Sequence, residues 1–234
     1  MNGRSNETAS TPADTTMMGV VHDALRRDLS RTNDVLEIGR IETRQRCALA
    51  AHTRWMMEFL HAHHSAEDRG LWPLIRRADP DAAPVLERMD ADHARIGPEI
   101  DRLEAAAALF HDDESPTAEG QFADALAGLE DTLLPHLRRE EDEAMPLATR
   151  TLTQAQWDHW DQTENIAPKS KWELGIEGHW LGDSLDPQRV DLLHHQVGPV
   201  TRFVLLHVFD GPYRRACAAR WGADVPVGPL QIPG

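Results

Sequence analysis

The chain has 234 residues, 41% of them hydrophobic, enough to bury one good core and an appendage. Its formal net charge of −15 argues against a nucleic-acid surface, which needs clustered Lys and Arg, and its two isolated cysteines, Cys47 and Cys217, lack the clustering of a cysteine-held structural zinc site and point to a reducing compartment or to indifference to one. The polar N-terminus MNGRSNETASTPADTT lacks the apolar stretch of a signal peptide and no run is long enough to span a bilayer, so a cytoplasmic protein with no membrane and no nucleic-acid partner is expected.

Residues 1–15 read as a disordered lead-in. A first helix is expected over 16–38, where Met18, His22, Leu25, Leu29 and Leu36 recur at steps of threes and fours, with a break near Gly39. A second, over 42–68, carries Met56, Leu60, His63 and Glu67 on one seam, and Leu71–Arg77 reads as a separate short helical turn between Gly70 and Asp79-Pro80. The third, over 82–111, aligns Leu86, Met89, His93, Ile96, Ile100 and Leu103; after a turn at His111–Pro116 the fourth, over 118–143, aligns Phe122, Leu126, Leu129, Leu133, His136 and Glu140. Pro98 and Pro135 fall inside two of these helices and are expected to bend them. The fold class this implies is all-α: an up-and-down antiparallel four-helix bundle over residues 16–152, with a Trp-rich helical extension over 153–234 packed on it.

Within the extension, one helix is expected from Thr153, a Trp- and Gly-rich stretch at Lys171–Gly182, a segment from Asp186-Pro187 to His194-His195, and a helix over Pro199–Trp221 bearing Phe203, Leu206, Phe209 and Tyr213. Ordinary packing is the first reading of Trp157, Trp160, Trp172 and Trp180; a cover on the open end of a site, or a homodimer interface, is the second. His179, His194, His195 and His207 lack helical register to the bundle seams and make a poor second metal site.

One pattern occurs twice. His63, Glu67 and Pro73 recur with the same spacing as His136, Glu140 and Pro146, and each copy follows a lone histidine, His22 or His93, by 41 or 43 residues. Positions i and i+4 share a helix face about 6 Å apart along the axis, so each His-x-x-x-Glu can grip one ion. Helix legs of roughly 24 and 30 Å around Gly39, at about 1.5 Å per residue, bring His22 back beside His63, and the second half behaves alike. All six donors, His22, His63, Glu67, His93, His136 and Glu140, lie on apolar seams, where an unpartnered carboxylate or imidazole is costly. A lone histidine on such a stripe is more often a satisfied core residue; six donors in register want a cation.

The stretches FLHAHHSAEDRGLWPLI, MDADHARI and LLPHLRREEDEAMPLA resemble the hemerythrin-like, or HHE cation-binding, domain family, over roughly residues 15–152. The resemblance implies a bundle whose core holds two iron ions, a non-haem pair joined by an oxo or hydroxo bridge, with manganese or zinc as alternatives. By that likeness His22 and His63 serve one iron, His93 and His136 the other, and Glu67 and Glu140 bridge them. Each iron then has four protein bonds of the six that octahedral iron accepts, which leaves room for dioxygen, peroxide, nitric oxide or azide and argues against a bulky organic substrate.

The departures matter too. Where oxygen-carrying hemerythrins have a further histidine one turn after the third-helix ligand this chain has Gly97, which disfavours reversible oxygen carriage and favours redox sensing, peroxide removal or iron handling. His64 is a candidate extra nitrogen whose plainer reading is an outer or surface position; Asp68 and Glu141 read as solvated or as supports of the ligands. Competing chemistries find little. The one Glu-x-x-His, Glu58 to His61, has its glutamate opposite the seam, and no His-Glu-x-x-His, Gly-x-Ser-x-Gly, P-loop or Gly-x-Gly-x-x-Gly is present. The functional expectation is a non-haem di-iron protein that binds or reacts with a small oxidant, whether as sensor or enzyme; the alternative is a metal-free or zinc-bound helical scaffold.

Overall fold

The structure, a computed structural model, describes residues 11–183, 185 and 210–222. Four long helices form the bundle: α1 (Thr16–Ile38), α2 (Thr43–Ala66), α4 (Ala83–Asp112) and α5 (Pro116–Arg139), with α3 (Trp72–Ala78) between α2 and α4. Their limits follow local chemistry. Gly39 ends α1 in the left-handed region at φ 66°, donating its N–H to Leu36, and Ser115 starts α5 by accepting from the Ala118 N–H, with Pro116 in the first turn. Short connections make successive bundle helices antiparallel. α4 packs along both α2 and α5, and α1 along α5. Leu25, Leu29, Met56, Leu60, Ile96, Leu103, Phe122, Leu126 and Leu133 are all buried between them, on the seams that the 3.6-residue period marked.

The second helix and the short turn after Gly70 are not separate elements. α2 runs through a π-turn at Glu67–Leu71 straight into α3, and α5 runs through a π-turn at Glu140–Ala144 into α6 (Met145–Thr151). The repeated proline explains both. Pro73 and Pro146 each occupy the second position of the helix that follows, have no N–H to give, and would clash with the carbonyl four residues back in an unbroken α-helix. Widening the preceding turn by one residue removes the conflict: Trp72 N–H reaches Glu67 O and Met145 N–H reaches Glu140 O, five residues back in each case. Pro98 and Pro135 have no such effect, and α4 and α5 continue across them.

Residues 11–15, placed in the lead-in by sequence, are pinned to the start of the extension. Pro12 bridges Thr153, Ala13 N–H donates to Leu152 O at 3.0 Å and Gln154 N–H to Thr11 O at 2.8 Å. Beyond them come α7 (Gln154–Asp161), a third π-turn at Gln162–Ile166, α8 (Lys171–Gly182) and α9 (Asp210–Trp221), with complete capping boxes at Thr153/Gln156 and Ser170/Glu173. Trp157 and Trp160 pack on Leu71, Trp72 and Met145 beneath the π-turns. On the other flank α8 and α9 lie along α1 and α2, where Asp28 accepts from His52 Nε2 (2.7 Å), Trp180 Nε1 (2.9 Å) and Arg27 Nε (2.8 Å), and Arg220 donates to His52 Nδ1. Trp172, by contrast, is exposed. The Asp186–His195 segment, His207 and the expected start of the last helix at Pro199 lie outside the described residues. Among the described residues no helix is long and apolar enough to cross a membrane.

Candidate metal centre

The bundle brings the six sequence-chosen donors to one level. His22 comes from α1, His63 from the last turn of α2, His93 from the middle of α4 and His136 from the last turn of α5, while Glu67 and Glu140 are the first residues of the two π-turns. All six are buried. Glu67 lies 3.2 Å from His63 Nε2 through Oε1 and 3.5 Å from His93 Nε2 through Oε2; Glu140 Oε2 lies 3.3 Å from His22 Nε2 and 3.6 Å from His136 Nε2. Each carboxylate thus touches one imidazole from each half of the repeat.

These contacts do not satisfy the groups. The Nε2 atoms of His22, His63, His93 and His136 and all four carboxylate oxygens of Glu67 and Glu140 are buried with no hydrogen-bond partner among the described residues. Each orphaned polar atom costs about 1–3 kcal/mol, so a core would not retain this many without something to bind. Nitrogen and carboxylate donors at these separations fit divalent or trivalent cations, and two triads, His22/His63/Glu140 and His64/His93/His136, each gather their donor atoms within 4.8 Å of one another.

The outer faces of the lone histidines are held from behind. His22 Nδ1 donates to Glu141 at 2.8 Å, itself bound by Arg26 at 2.8 Å, and His93 Nδ1 donates to Asp68 at 2.8 Å. The acidic residue after each inward-facing glutamate therefore orients a histidine rather than facing solvent alone, which directs Nε2 toward the centre. His136 Nδ1 faces Asp92 at 3.6 Å, too far for a hydrogen bond.

Without a cation the cluster must balance its charge with protons. Burial opposes a charge on His22, yet Glu140 and Glu141 outweigh it and lift its pKa to about 9. Burial would raise Glu140, but His22 holds it below the usual carboxylate range; Glu67, buried beside Glu140, is pushed well above that range. Burial lowers His63 to about 3 and His136 to about 4, so both stay neutral and able to donate a lone pair. A cation would displace the His22 and Glu67 protons.

Local patterns left several features of the site open. His64 is buried and stacks on His93 with ring centroids 4.1 Å apart. Phe59 stacks on His63, and Trp160 Nε1 donates to Ala66 O at 3.0 Å, one residue before Glu67. A cavity of about 200 Å³ reaches His63 between α1, α2 and the extension, lined by Met17, Met18, Phe59, Trp160 and Leu181. Glu58 and His61 are both exposed, which removes the Glu-x-x-His alternative. Gly97, one turn beyond His93, adds no donor.

Residues 14–148 match the family model of the hemerythrin HHE cation binding domain, and no curated protein and no solved structure matches the chain. The match covers the whole of the donor cluster and more than half of the sequence, so the chain belongs to the hemerythrin HHE cation-binding family.

Proposed function

We propose that the bundle, residues 16–152, holds a non-haem di-iron centre that binds or reacts with a small oxidant (dioxygen, peroxide or nitric oxide) in redox sensing, detoxification or iron handling. The observation that carries this is the set of buried, unpartnered donors in which both carboxylates touch imidazoles of both halves. His22 and His63 would hold one ion, His93 and His136 the other, with Glu67 and Glu140 shared between them. Such an iron pair would supply one-electron steps and open coordination positions that side chains alone lack.

The chain's own contribution is positioning and exclusion. Glu141 and Asp68 fix the ring orientation of His22 and His93, the packed seams keep bulk water away, and the cavity beside His63 admits a small molecule rather than a large one. The extension, 153–234, supplies one wall of that cavity through Trp157, Trp160 and Leu181. Both cysteines are free, which suits a cytoplasmic setting.

Metal analysis after iron-supplemented expression tests the reading: about two irons per chain are expected, and less than about half an iron overturns it in favour of a zinc-bound or metal-free scaffold. Glu67→Ala and Glu140→Ala should each lower occupancy of both ions, His22→Ala chiefly of one. Repeated oxygen evolution from hydrogen peroxide, absent in Glu140→Ala, separates an enzyme from a binding or sensing module.

A further inference from the structure

We propose that His64 is a ligand of the centre, joining His93 and His136 on one of the two cations; this rests on the two-metal reading above. His64 is 6% exposed, and its Nε2 is buried with no hydrogen-bond partner among the described residues, the same condition as the inward nitrogens of His22, His63, His93 and His136. A histidine kept only for packing has no reason to hold an unpaired polar atom in a dry core, where leucine would serve without the penalty.

Position on α2 explains its direction. Consecutive helical residues are about 100° apart around the axis, so neighbouring side chains diverge to the two flanks of one seam. His63 goes toward α1, its ring centroid 5.8 Å from that of His22. His64 goes toward α4 and α5, its ring 4.1 Å from His93 and 5.1 Å from His136, and the donor atoms of these three lie within 4.8 Å of one another. The consequence is an unequal pair: one cation with three imidazoles, from His64, His93 and His136, and one with two, from His22 and His63, sharing both carboxylates. The three-imidazole position should fill first as the metal-free protein takes up ions.

Cobalt(II) serves as the probe. On the wild-type protein loaded with cobalt, NMR counts the hyperfine-shifted, exchangeable imidazole N–H signals: five are expected, from His22, His63, His64, His93 and His136, and four would overturn the proposal. In stepwise titrations followed by visible absorption, His64→Ala should weaken the tighter step by at least about tenfold, and imidazole added to His64→Gly should restore it. His61→Ala, an exposed position on the same helix, should leave both steps unchanged. Two unaltered steps in His64→Ala would overturn the role of His64 alone; a wild type that takes up no cobalt would overturn the two-metal reading and this inference with it. The signal count needs no variant and decides the matter should His64→Ala fail to fold.

Discussion

Gly70 sits inside the first π-turn, and replacing it by alanine should destabilise the protein by about 2–3 kcal/mol although alanine is the better helix former. A Cβ there would lie 2.5 Å from Trp160 Cδ1, 2.9 Å from its Nε1 and 3.4 Å from Glu164 Cγ. Carbon contacts want about 3.5–4.0 Å, so the indole must retreat by about 1 Å. It is wedged against Trp157 with ring centroids 5.0 Å apart, and it donates to Ala66 O at 3.0 Å. A retreat of that size breaks the hydrogen bond, leaving the buried indole N–H unpaired at about 1–3 kcal/mol, and overpacking adds about 1–3 kcal/mol. The gain in helix propensity offsets only about 1 kcal/mol. In a Trp160→Ala background the obstacle is gone, and Gly70→Ala should become stabilising by up to about 1 kcal/mol. Urea denaturation of the four proteins of this double-mutant cycle measures the reversal. Equal destabilisation by Gly70→Ala in both backgrounds would refute the reasoning.

Removing the metal should lower the melting temperature, because cation binding at a free concentration of about 100 Kd adds about 2.7 kcal/mol; equal melting of apo and loaded protein by calorimetry would contradict the site. Asp68→Asn and Glu141→Gln, which leave the inward donors in place, should each weaken metal binding by about 10–100-fold in competition with a chelator. Away from the centre, burial and then Arg220 lower the pKa of His52 to about 4, so the fold keeps it neutral while the unfolded chain takes a proton near 6.5. Its stabilising effect is whole above that value and lost as pH falls toward 4, at about 1.4 kcal/mol per unit. Denaturant midpoints at about pH 7.5 and pH 5.5 should therefore differ less in His52→Gln than in wild type, both metal-loaded; an identical difference would rule His52 out as the source.

Much of the bundle was legible because its helices obey one period. Steps of three and four from Met18 to Leu29 and from Phe122 to Glu140 select the buried faces, and a donor on those steps points inward. The repeat of Pro73 and Pro146 was visible too, but its meaning was not: a periodic reading assumes one hydrogen-bond register and ends the helices near residues 68 and 143, where the chain instead widens by a residue and continues. His64 reads in sequence as a candidate extra nitrogen with an outer or surface position as the plainer alternative; burial against His63 and His93 removes the surface half of that alternative, which spacing alone could not do. The Trp160 clamp on Ala66 and the Asp28 network reach across 94 and 152 residues, and local pattern carries no trace of such contacts.

His22 leans on Glu141 and Glu140, both supplied by the later half, while His93 leans on Asp68 and Glu67, both supplied by the earlier one. On the proposed ligand set, neither hairpin would complete the coordination shell from its own residues. Capture of a cation would report that the entire chain through Glu141 has docked correctly, whereas a stalled or truncated polypeptide would present only loose, weakly chelating side chains.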